Sequence, residues 1–367
     1  RWRGAPSINA PRQAGRIFAT MPAMVPPTDG SLPGRLTEHL RAATGAPVAV
    51  TEVRPLGGGA CQDLFFVAAT LADEPRRLVL RSDARASLPG SIDRRSEYAV
   101  LQAAVAAGVR TPTARYLGEG LVRPGAAAYF LDFIEGEALG RRVLREPALA
   151  QARAVLPRQL AAELARIHRI TPEAHPELCF RSMDDPVKLG AAGAALAFCR
   201  SMLDQMPEPH PALEFAVAWL DAHRPAPLPL CLVHGDFRTG NFLVGPEGLR
   251  GLLDWEFCHF GDPMEDLGWL CMRDWRFGQL KKPAGGFASR AALYAAYEDA
   301  TGTNVDPQRV RYWEIMGNVR WAAGSVFQTE RYLSGAESDI ELVAIGRRAC
   351  EMEYEALRLI ALAEQGA

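Results

Sequence analysis

The chain changes character near residue 136, and this change limits the fold more than any other feature of the sequence. Short apolar runs of strand length come before it, at 48–53, 63–69, 77–82, 114–119 and 127–134. Because one segment of helical period (96–108) interrupts them, they predict a small antiparallel sheet covered on one side. Beyond the change, helical periods dominate, at 147–170, 189–223, 289–300, 308–333 and 339–364, and only 229–254 has β character. The prediction is an α+β fold with a β-rich N-lobe over 35–136, a mainly helical C-lobe over 137–367 and a hinge near 136.

The first 34 residues differ from the rest of the chain. Four arginines within residues 1–16 alternate with Ala, Ser and Pro, and no acidic residue precedes Asp29. An organelle transit peptide has this composition. A disordered leader, or a true start at Met21 or Met24, explains it as well, and we interpret residues 1–34 as a disordered or leader segment.

Composition excludes several classes of protein. Apolar residues make up 48% of the 367 residues, charged residues 23%, and the formal net charge is −2. This balance gives no global field that would recruit nucleic acid or a membrane, and no apolar run approaches the length of a membrane span. Seven scattered cysteines without a CxxC pair indicate reduced thiols. We therefore expect a cytoplasmic monomer or homodimer that binds neither nucleic acid nor membrane.

The segment VHGDFRTGNFLV (233–244) concentrates polar residues between two strand-like runs. Asp236 and Asn241 lie on the connecting loop, and Asp254 ends the next strand-like run. Two carboxylates and a carboxamide offer hard oxygens suited to Mg²⁺ that also binds substrate phosphates. Arg238 adds a fixed cation where negative charge would collect. For His234 we favour a buried imidazole bonded to backbone over a metal ligand.

Two weaker signals lie in the predicted N-lobe. Glycines 57–59 lie between two strand-like runs, where backbone N–H groups can approach a phosphate closely, although hairpin turns use glycine too. Arg81 ends a strand-like run and Glu97 lies in the following helical segment. Such a pair could hold a phosphate clamp in position, or be a surface ion pair of small energetic value.

Three ordered motifs carry a resemblance to a known family. They are His234-Gly235-Asp236-x-x-x-x-Asn241, Asp254-Trp255-Glu256 and Gly261-Asp262-Pro263-x-x-Asp266-Leu267. They resemble the signature of the aminoglycoside phosphotransferase (APH) superfamily, relatives of protein kinases. The sequence around these motifs is similar to that of the branch that is fused to acyl-CoA dehydrogenases in animals. The resemblance runs from about Val53 to the last helical segment. It implies a protein-kinase-like two-lobed fold and a phosphotransferase that uses ATP and Mg²⁺.

The resemblance also implies roles in chemistry and metal binding. Asp236 would accept the proton of the substrate hydroxyl, and Arg238 would meet the γ-phosphate. Asn241 and Asp254 would hold Mg²⁺ on the nucleotide phosphates. Glu256 is a weaker candidate for a second metal ion, and the resemblance assigns bracing roles to Asp262 and Asp266.

Further roles concern the nucleotide. Gly57, Gly58 and Gly59 match the loop that covers the phosphates. Arg81 and Glu97 match the strand lysine and helix glutamate of protein kinases, with arginine in the lysine position. In the segment LDFIEG (131–136), the backbone of Asp132 and Ile134 would bond the adenine edge.

The acceptor is predicted from charge. Residues 272–290 carry Arg273, Arg276, Lys281, Lys282 and Arg290 against the single acid Asp274. Aromatic residues interleave with them or follow, and would either receive an apolar chain or be core: Trp269, Trp275, Phe277, Phe287, Trp313 and Trp321, with Arg320 beside them. If the segment lines the site, it favours an anionic hydroxy acid or, by the resemblance, a hydroxyacyl-CoA. A solvated basic loop is the other reading.

Three alternatives stay open. The acceptor could be an aminoglycoside or another antibiotic or sugar. The protein could be a catalytically silent nucleotide-binding pseudokinase, although Asp236, Asn241 and Asp254 are all present. A metal-dependent hydrolase would instead use His234, Asp236, Asp254 and His259, but it leaves the hinge and the glycines unexplained.

Overall fold

The computed structural model describes residues 30–56, 63–83, 87–178, 180, 186–336 and 338–366. The predicted phosphate-covering glycines, Gly57 to Gly59, lie outside the described residues.

The first half of the described chain forms one antiparallel sheet with two helices. The elements are α1 (Leu32–Thr44), β1 (Val48–Pro55), β2 (Asp63–Leu71), β3 (Glu74–Ser82), α2 (Arg94–Ala106), β4 (Ala114–Glu119) and β5 (Ala127–Asp132). The strand order is β1-β2-β3-β5-β4, and every neighbouring pair is antiparallel. Ser31 and Asp93 begin the two helices, because their side chains accept backbone N–H groups of the first turn. The inserted helix was predicted, and α1 begins three residues before the predicted N-lobe.

The second half is mainly helical. Its elements are α3 (Gly140–Arg145), α4 (Ala150–Ile167), α5 (Pro186–Leu203), α6 (Pro211–Ala222), β6 (Cys231–Val233), β7 (Phe242–Gly245), β8 (Gly248–Leu252), β9 (His259–Gly261), α7 (Met264–Cys271), α8 (Arg290–Thr301), α9 (Pro307–Leu333), α10 (Glu341–Gly346) and α11 (Ala349–Glu364). Strands β7 and β8 form a hairpin, and β6 pairs with β9. Short 3₁₀ turns occupy Pro147–Leu149 and Arg273–Arg276.

The helical predictions differ from the structure in four places: 339–364 contains α10 and α11, α3 was not predicted, and the other two differences concern 189–223 and α7. The segment 189–223 contains two helices, α5 and α6, because prolines at 207, 209 and 211 cannot continue a helix that has begun before them. Helix α7 was not predicted at all. All eight of its residues are buried, so it lacks the polar face from which a helical period is recognised.

Two hydrophobic clusters organise the packing. A smaller one joins α1 to one face of the sheet. The larger one contains residues of α2 and of the other sheet face together with those of most C-lobe helices. The lobes therefore share a core, and α2 lies within it.

The lobes are also joined by hydrogen bonds on one side of the molecule. Glu137 and Val244 exchange backbone bonds of 2.9 and 3.0 Å, which fasten the chain to β7 just beyond the predicted hinge. In the connection between α2 and β4, the carbonyl of Arg110 accepts the amide of Leu252 at 2.8 Å. Thr111 Oγ1 donates to the carbonyl of Leu252 at 2.9 Å. The β7–β8 hairpin thus contacts both chain segments that lie between the lobes.

Among the described residues, no helix combines the length and the apolar character that crossing a bilayer requires. The five cysteines in the described part of the chain are free thiols.

Candidate active site

The loop between β6 and β7 (234–241) is held by its neighbours as well as by its own turn, in which the amide of Asn241 donates to the carbonyl of Arg238 at 3.0 Å. The backbone N–H groups of His234 and Gly235 donate to the two carboxylate oxygens of Asp266, at 2.8 and 3.0 Å. Gly235 has a φ of +74°, and a Cβ there would collide with the carbonyl oxygen of Phe257, so only glycine fits. The His234 ring lies 3.0 Å from the carbonyl oxygen of Leu253 through Nε2, and burial lowers its pKa. His234 therefore has the backbone-bonded geometry that the sequence analysis favoured.

Asp236 projects from this loop and receives three donors. Arg238 Nε donates to both carboxylate oxygens, at 2.9 Å (Oδ1) and 3.1 Å (Oδ2). Asn241 Nδ2 donates to Oδ2 at 2.6 Å, and Trp269 Nε1 donates to Oδ1 at 2.8 Å. Asp236 is only 6% exposed. The two predicted catalytic side chains, Asp236 and Arg238, are thus in direct contact, and Asn241 joins them.

The β7–β8 hairpin brings Asn241 and Asp254 to one end. Phe242 pairs with Leu252, and the amide of Leu253 donates to the carbonyl of Asn241 at 2.8 Å. Asn241 therefore comes just before the first strand and Asp254 just after the second, at the open end of the hairpin. Asp254 has a φ of +68°, a left-handed conformation that costs energy in a residue with a Cβ. A strained backbone that aims a carboxylate into a cleft is typical of functional sites.

Arg81 connects the sheet, helix α2 and Asp254. Its guanidinium bonds Glu97 at 2.9 Å through both Nε and Nη2, and Nη2 also donates to Asp254 Oδ1 at 2.7 Å. Burial lowers the pKa of Arg81, but Glu97 and Asp254 outweigh it and raise the pKa well above its ordinary value. The predicted Arg81–Glu97 pair is therefore present, buried, and extended to the metal-ligand candidate on the other lobe.

Arg94 is a member of this network that the sequence analysis did not single out. It bonds Glu97 from the first turn of α2 and lies 3.5 Å from Glu256. The i, i+3 spacing of Arg94 and Glu97 in a helical segment could have predicted this ion pair. Burial, followed by the charge of Asp254, raises the pKa of Glu256 to about 7.

The predicted adenine-binding segment follows β5. The amide of Asp132 donates to the carbonyl of Thr113 at 3.1 Å, and that of Phe133 donates to the carbonyl of Arg77 at 3.0 Å. Both amides are therefore used within the sheet. A backbone contact between Asp132 and an adenine base can therefore use only the carbonyl oxygen of Asp132.

The basic segment 272–290 is largely neutralised, contrary to the expectation that its cations face the site. Arg276 and Arg290 share the buried carboxylate of Glu314, at 3.1 and 2.7 Å. Arg273 lies 3.8 Å from Glu355. Asp274, the acid of the segment, pairs with Arg348 at 2.7 Å. The prediction fails for Arg276 and Arg290 because buried acids from distant helices, which the local charge count omits, compensate them.

Two cations of the segment, Lys281 and Lys282, are exposed. The neighbouring helix α3 adds Arg145, whose Nη2 lies 3.8 Å from the position that a Cβ on Gly278 would take. None of these three forms an ion pair with any residue that the structure describes. Thr239 of the catalytic loop donates to the carbonyl of Gly285 at 2.7 Å, so this basic edge is attached to the loop that carries Asp236.

Most of the aromatic candidates are core. Trp269, Trp275 and Met272 form a buried cluster, with Trp321 packed against it. Trp313 and Phe287 belong to the large core, and Phe277 packs against it. Two rings nevertheless contact site cations: Arg238 lies 4.5 Å above Trp275, and Arg320 lies 4.3 Å above Trp269. The Trp269–Asp236 hydrogen bond was not predicted, because the sequence analysis considered Trp269 only for apolar contacts and not as a hydrogen-bond donor.

The hydrolase alternative has no support in the geometry. The two ring nitrogens of His259 contact the carbonyl of Phe257 at 2.9 Å and Glu265 at 3.2 Å, so both are already used. No group of three or more His, Cys, Asp or Glu side chains that could hold a metal ion occurs within the described ranges. Asn241 and Asp254, by contrast, supply hard oxygens at one end of a hairpin, a donor set that fits Mg²⁺ completed by waters and phosphate oxygens.

Comparisons with known proteins identify the family. A family model described as "Phosphotransferase enzyme family" (APH) matches residues 52–313. Acyl-CoA dehydrogenase family member 10 of Mus musculus is 28% identical over 209 residues, which cover 55% of this chain and 18% of that protein. The match thus spans less than a fifth of the length of that relative.

Solved structures share the fold. A candidate aminoglycoside phosphotransferase from Ralstonia eutropha JMP134 superposes with a TM-score of 0.65 at 22% identity, over 89% of this chain and 97% of that one. A thermostable mutant of an aminoglycoside phosphotransferase, solved with ADP and hygromycin B, superposes with a TM-score of 0.56 at 15% identity, over 88% and 98%. The predicted two-lobed, protein-kinase-like α+β fold is confirmed, and the chain belongs to the APH phosphotransferase family.

Proposed function

We propose that this protein is an ATP- and Mg²⁺-dependent small-molecule kinase that transfers the γ-phosphate to a hydroxyl group. The observation that carries the proposal is the convergence of Arg238 and Asn241 on the carboxylate of Asp236, beside the strained Asp254. A carboxylate, a fixed cation and two hard-oxygen donors are the parts that phosphoryl transfer requires.

Each part has one task in the proposal. Asp236 accepts the proton of the acceptor hydroxyl as that oxygen attacks the γ-phosphorus. Arg238, at 24% side-chain exposure, turns its guanidinium to the transferred phosphate. Asn241 and Asp254 hold Mg²⁺, which when bound neutralises charge on the phosphate oxygens. Arg81, fixed by Glu97, bonds the phosphates from the N-lobe side.

The nucleotide part of the proposal has two further components. Gly57 to Gly59 cover the phosphates, and the backbone at Asp132 and Ile134 bonds the adenine edge. A likeness to a phosphotransferase solved with ADP supports a purine nucleotide in the same cleft. The free thiols of the described chain suit a reducing compartment, and we place the reaction in the cytoplasm.

For the acceptor we propose an anionic hydroxy acid or a hydroxyacyl-CoA. The support is the exposed basic edge formed by Arg145, Lys281 and Lys282, which is joined to the catalytic loop through Thr239. A polycationic aminoglycoside would be repelled at this edge. Arg276 and Arg290, bound to Glu314, have no part in this proposal.

The test of the kinase assignment is thermal protection by ATP, measured with Mg²⁺ and with EDTA. We expect ATP to raise the melting temperature far more with Mg²⁺, because binding to the native state alone stabilises it. Asp254→Ala should abolish that difference. Asp299→Ala, a change on the exposed face of α8, is the control and should keep it. Equal protection of the wild type with and without metal would refute the roles given to Asn241 and Asp254.

A further inference from the structure

The indole of Trp269 contacts the carboxylate proposed as the base. Trp269 is 6% exposed on α7, and its Nε1 donates to Asp236 Oδ1 at 2.8 Å. The same helix carries Asp266, which bonds the backbone of His234 and Gly235. Helix α7 therefore supports both the backbone of the catalytic loop and its reactive side chain.

The donors around Asp236 leave little freedom for its carboxylate. An ionised carboxylate has about four lone-pair positions. Arg238 reaches both oxygens, Asn241 reaches Oδ2 and Trp269 reaches Oδ1. Because both oxygens are bonded, rotation of the carboxylate would break at least one contact. These four contacts fill those positions, so an acceptor hydroxyl would take the place of a contact made by Arg238 or Asn241.

The three donors differ in what else they do. In the proposed function Arg238 meets the γ-phosphate and Asn241 binds Mg²⁺, so both must also serve ligands. Trp269 belongs to the buried aromatic cluster, and its N–H group is committed to Asp236. It is the donor whose contact does not depend on what occupies the cleft.

The packing around Trp269 prevents its ring from turning away. Arg320 lies 4.3 Å above the ring and is held by Glu265 at 2.9 Å. On α9, a Cβ at Gly317 would come within 3.1 Å of the ring, so glycine makes room for the indole. The orientation of the N–H group is thus set by helices α7 and α9 together.

We propose that Trp269 is a positioning residue for phosphoryl transfer: its indole N–H orients the carboxylate of Asp236 towards the acceptor hydroxyl. This inference rests on the proposed function. In the transfer step the acceptor oxygen bonds the γ-phosphorus, the bond from that phosphorus to the β–γ bridging oxygen breaks, and the hydroxyl proton passes to Asp236. Trp269 keeps its proton throughout.

The test removes the N–H donor and keeps the ring. Trp269→Phe does so approximately, and replacement of Trp269 by 3-benzothienylalanine, which has sulfur in place of N–H, does so with the same shape. Turnover is measured with Mg²⁺·ATP and water as the acceptor. We expect kcat to fall about tenfold to a hundredfold, the value of one hydrogen bond to a charged group, with the KM for ATP unchanged.

Trp313→Phe is the matched control. Trp313 is an equally buried indole on α9, and its Nε1 has no hydrogen-bond partner among the described residues. It should lose stability but keep the kcat of the wild type. A kcat for the benzothienyl variant equal to that of the wild type would overturn the inference and leave the proposed function standing. A wild type that cannot turn over ATP at all would overturn both.

A spectroscopic measurement tests the contact without turnover. In an ¹⁵N-labelled protein, the indole N–H resonance that is absent in Trp269→Phe identifies Trp269. This resonance should move in Asp236→Asn, whereas the one assigned in the same way to Trp313 should stay in place. A Trp269 resonance that does not respond to Asp236→Asn would overturn the inference.

Discussion

At the scale of single residues, the site depends on how one carboxylate is surrounded. Asp236 is nearly buried, yet three donors on it replace the water that burial removes. Burying a carboxylate that has no such partners is costly. The side chains of Arg238, Asn241 and Trp269 therefore allow Asp236 to lie inside the protein and hold its carboxylate in one orientation.

Asp236→Asn tests this residue directly. Asparagine keeps the size of the side chain but removes the base, so turnover should fall by about 10² to 10⁴ while nucleotide binding stays near normal. Steady-state kinetics and ATP titration measure the two effects. Asp299→Asn, an exposed change on α8, should alter neither. Unchanged turnover in Asp236→Asn would exclude Asp236 as the base.

Whether contacts between these residues could be predicted from the sequence depends on how far apart the residues lie along the chain. Asp236, Arg238 and Asn241 lie within six positions of one another, so a local motif could identify them. Arg81 and Asp254 are 173 positions apart, and no local pattern reports that they touch. The same holds for the carboxylate of Glu314, which cancels the cations that local charge counting had assigned to the acceptor.

At the scale of elements, the site is supported by a short helix and a short strand. Helix α7 supplies Asp266 and Trp269, and strand β9 ends next to it and carries His259. Neither element was predicted: α7 has no polar face, and β9 has only three residues. Only the charged residues of these two segments, and not a periodic pattern, could have drawn attention to them in the sequence.

The His259–Glu265 contact between β9 and α7 gives a pH dependence. Burial lowers the pKa of His259, but Glu265 outweighs it and the pKa is raised. A raised histidine pKa stabilises the fold fully below the unfolded value of about 6.5, and this stabilisation is lost as pH rises through the folded-state pKa. His259→Gln should therefore cost about 3 kcal/mol at pH 6, as breaking a buried pair does, and less at pH 9.

Urea denaturation across this pH range measures the effect. The difference in free energy of unfolding between wild type and His259→Gln should shrink steadily with increasing pH. His175→Gln removes a histidine that pairs with Glu177 at the surface, and it should give a small difference at every pH. A cost of His259→Gln that does not vary with pH would show that the imidazole is neutral in the fold.

At the scale of the whole molecule, the basic edge proposed to bind the acceptor is built from two distant parts of the chain. Helix α3, just beyond the hinge, provides Arg145, and the loop after the 3₁₀ turn provides Lys281 and Lys282. Phe277 closes the contact, because its ring packs against Gly140 at the start of α3. The basic edge therefore exists only in the folded protein.

Reversing both lysines, Lys281→Glu with Lys282→Glu, tests the proposed acceptor. If each cation makes one charge-assisted contact with an anionic hydroxy acid, the KM for that acid should rise at least about tenfold, with the KM for ATP little changed. Reversal of Arg158 and Arg169, two exposed cations of the α4 region, changes the net charge equally and should affect neither constant. Efficient phosphorylation of an aminoglycoside, insensitive to the lysine reversal, would contradict the anionic acceptor.

The bonds between the β7–β8 hairpin and the two inter-lobe segments have a mechanical consequence. The hairpin is fastened to Glu137 on one side and to Arg110 and Thr111 on the other, so any rotation of the N-lobe about these two segments would have its axis near the hairpin. Points on an axis of rotation travel least. Asn241 and Asp254, at the end of that hairpin, would therefore keep their spacing during such a rotation. Substitutions that alter only the rotation would then leave the spacing of these two side chains unchanged.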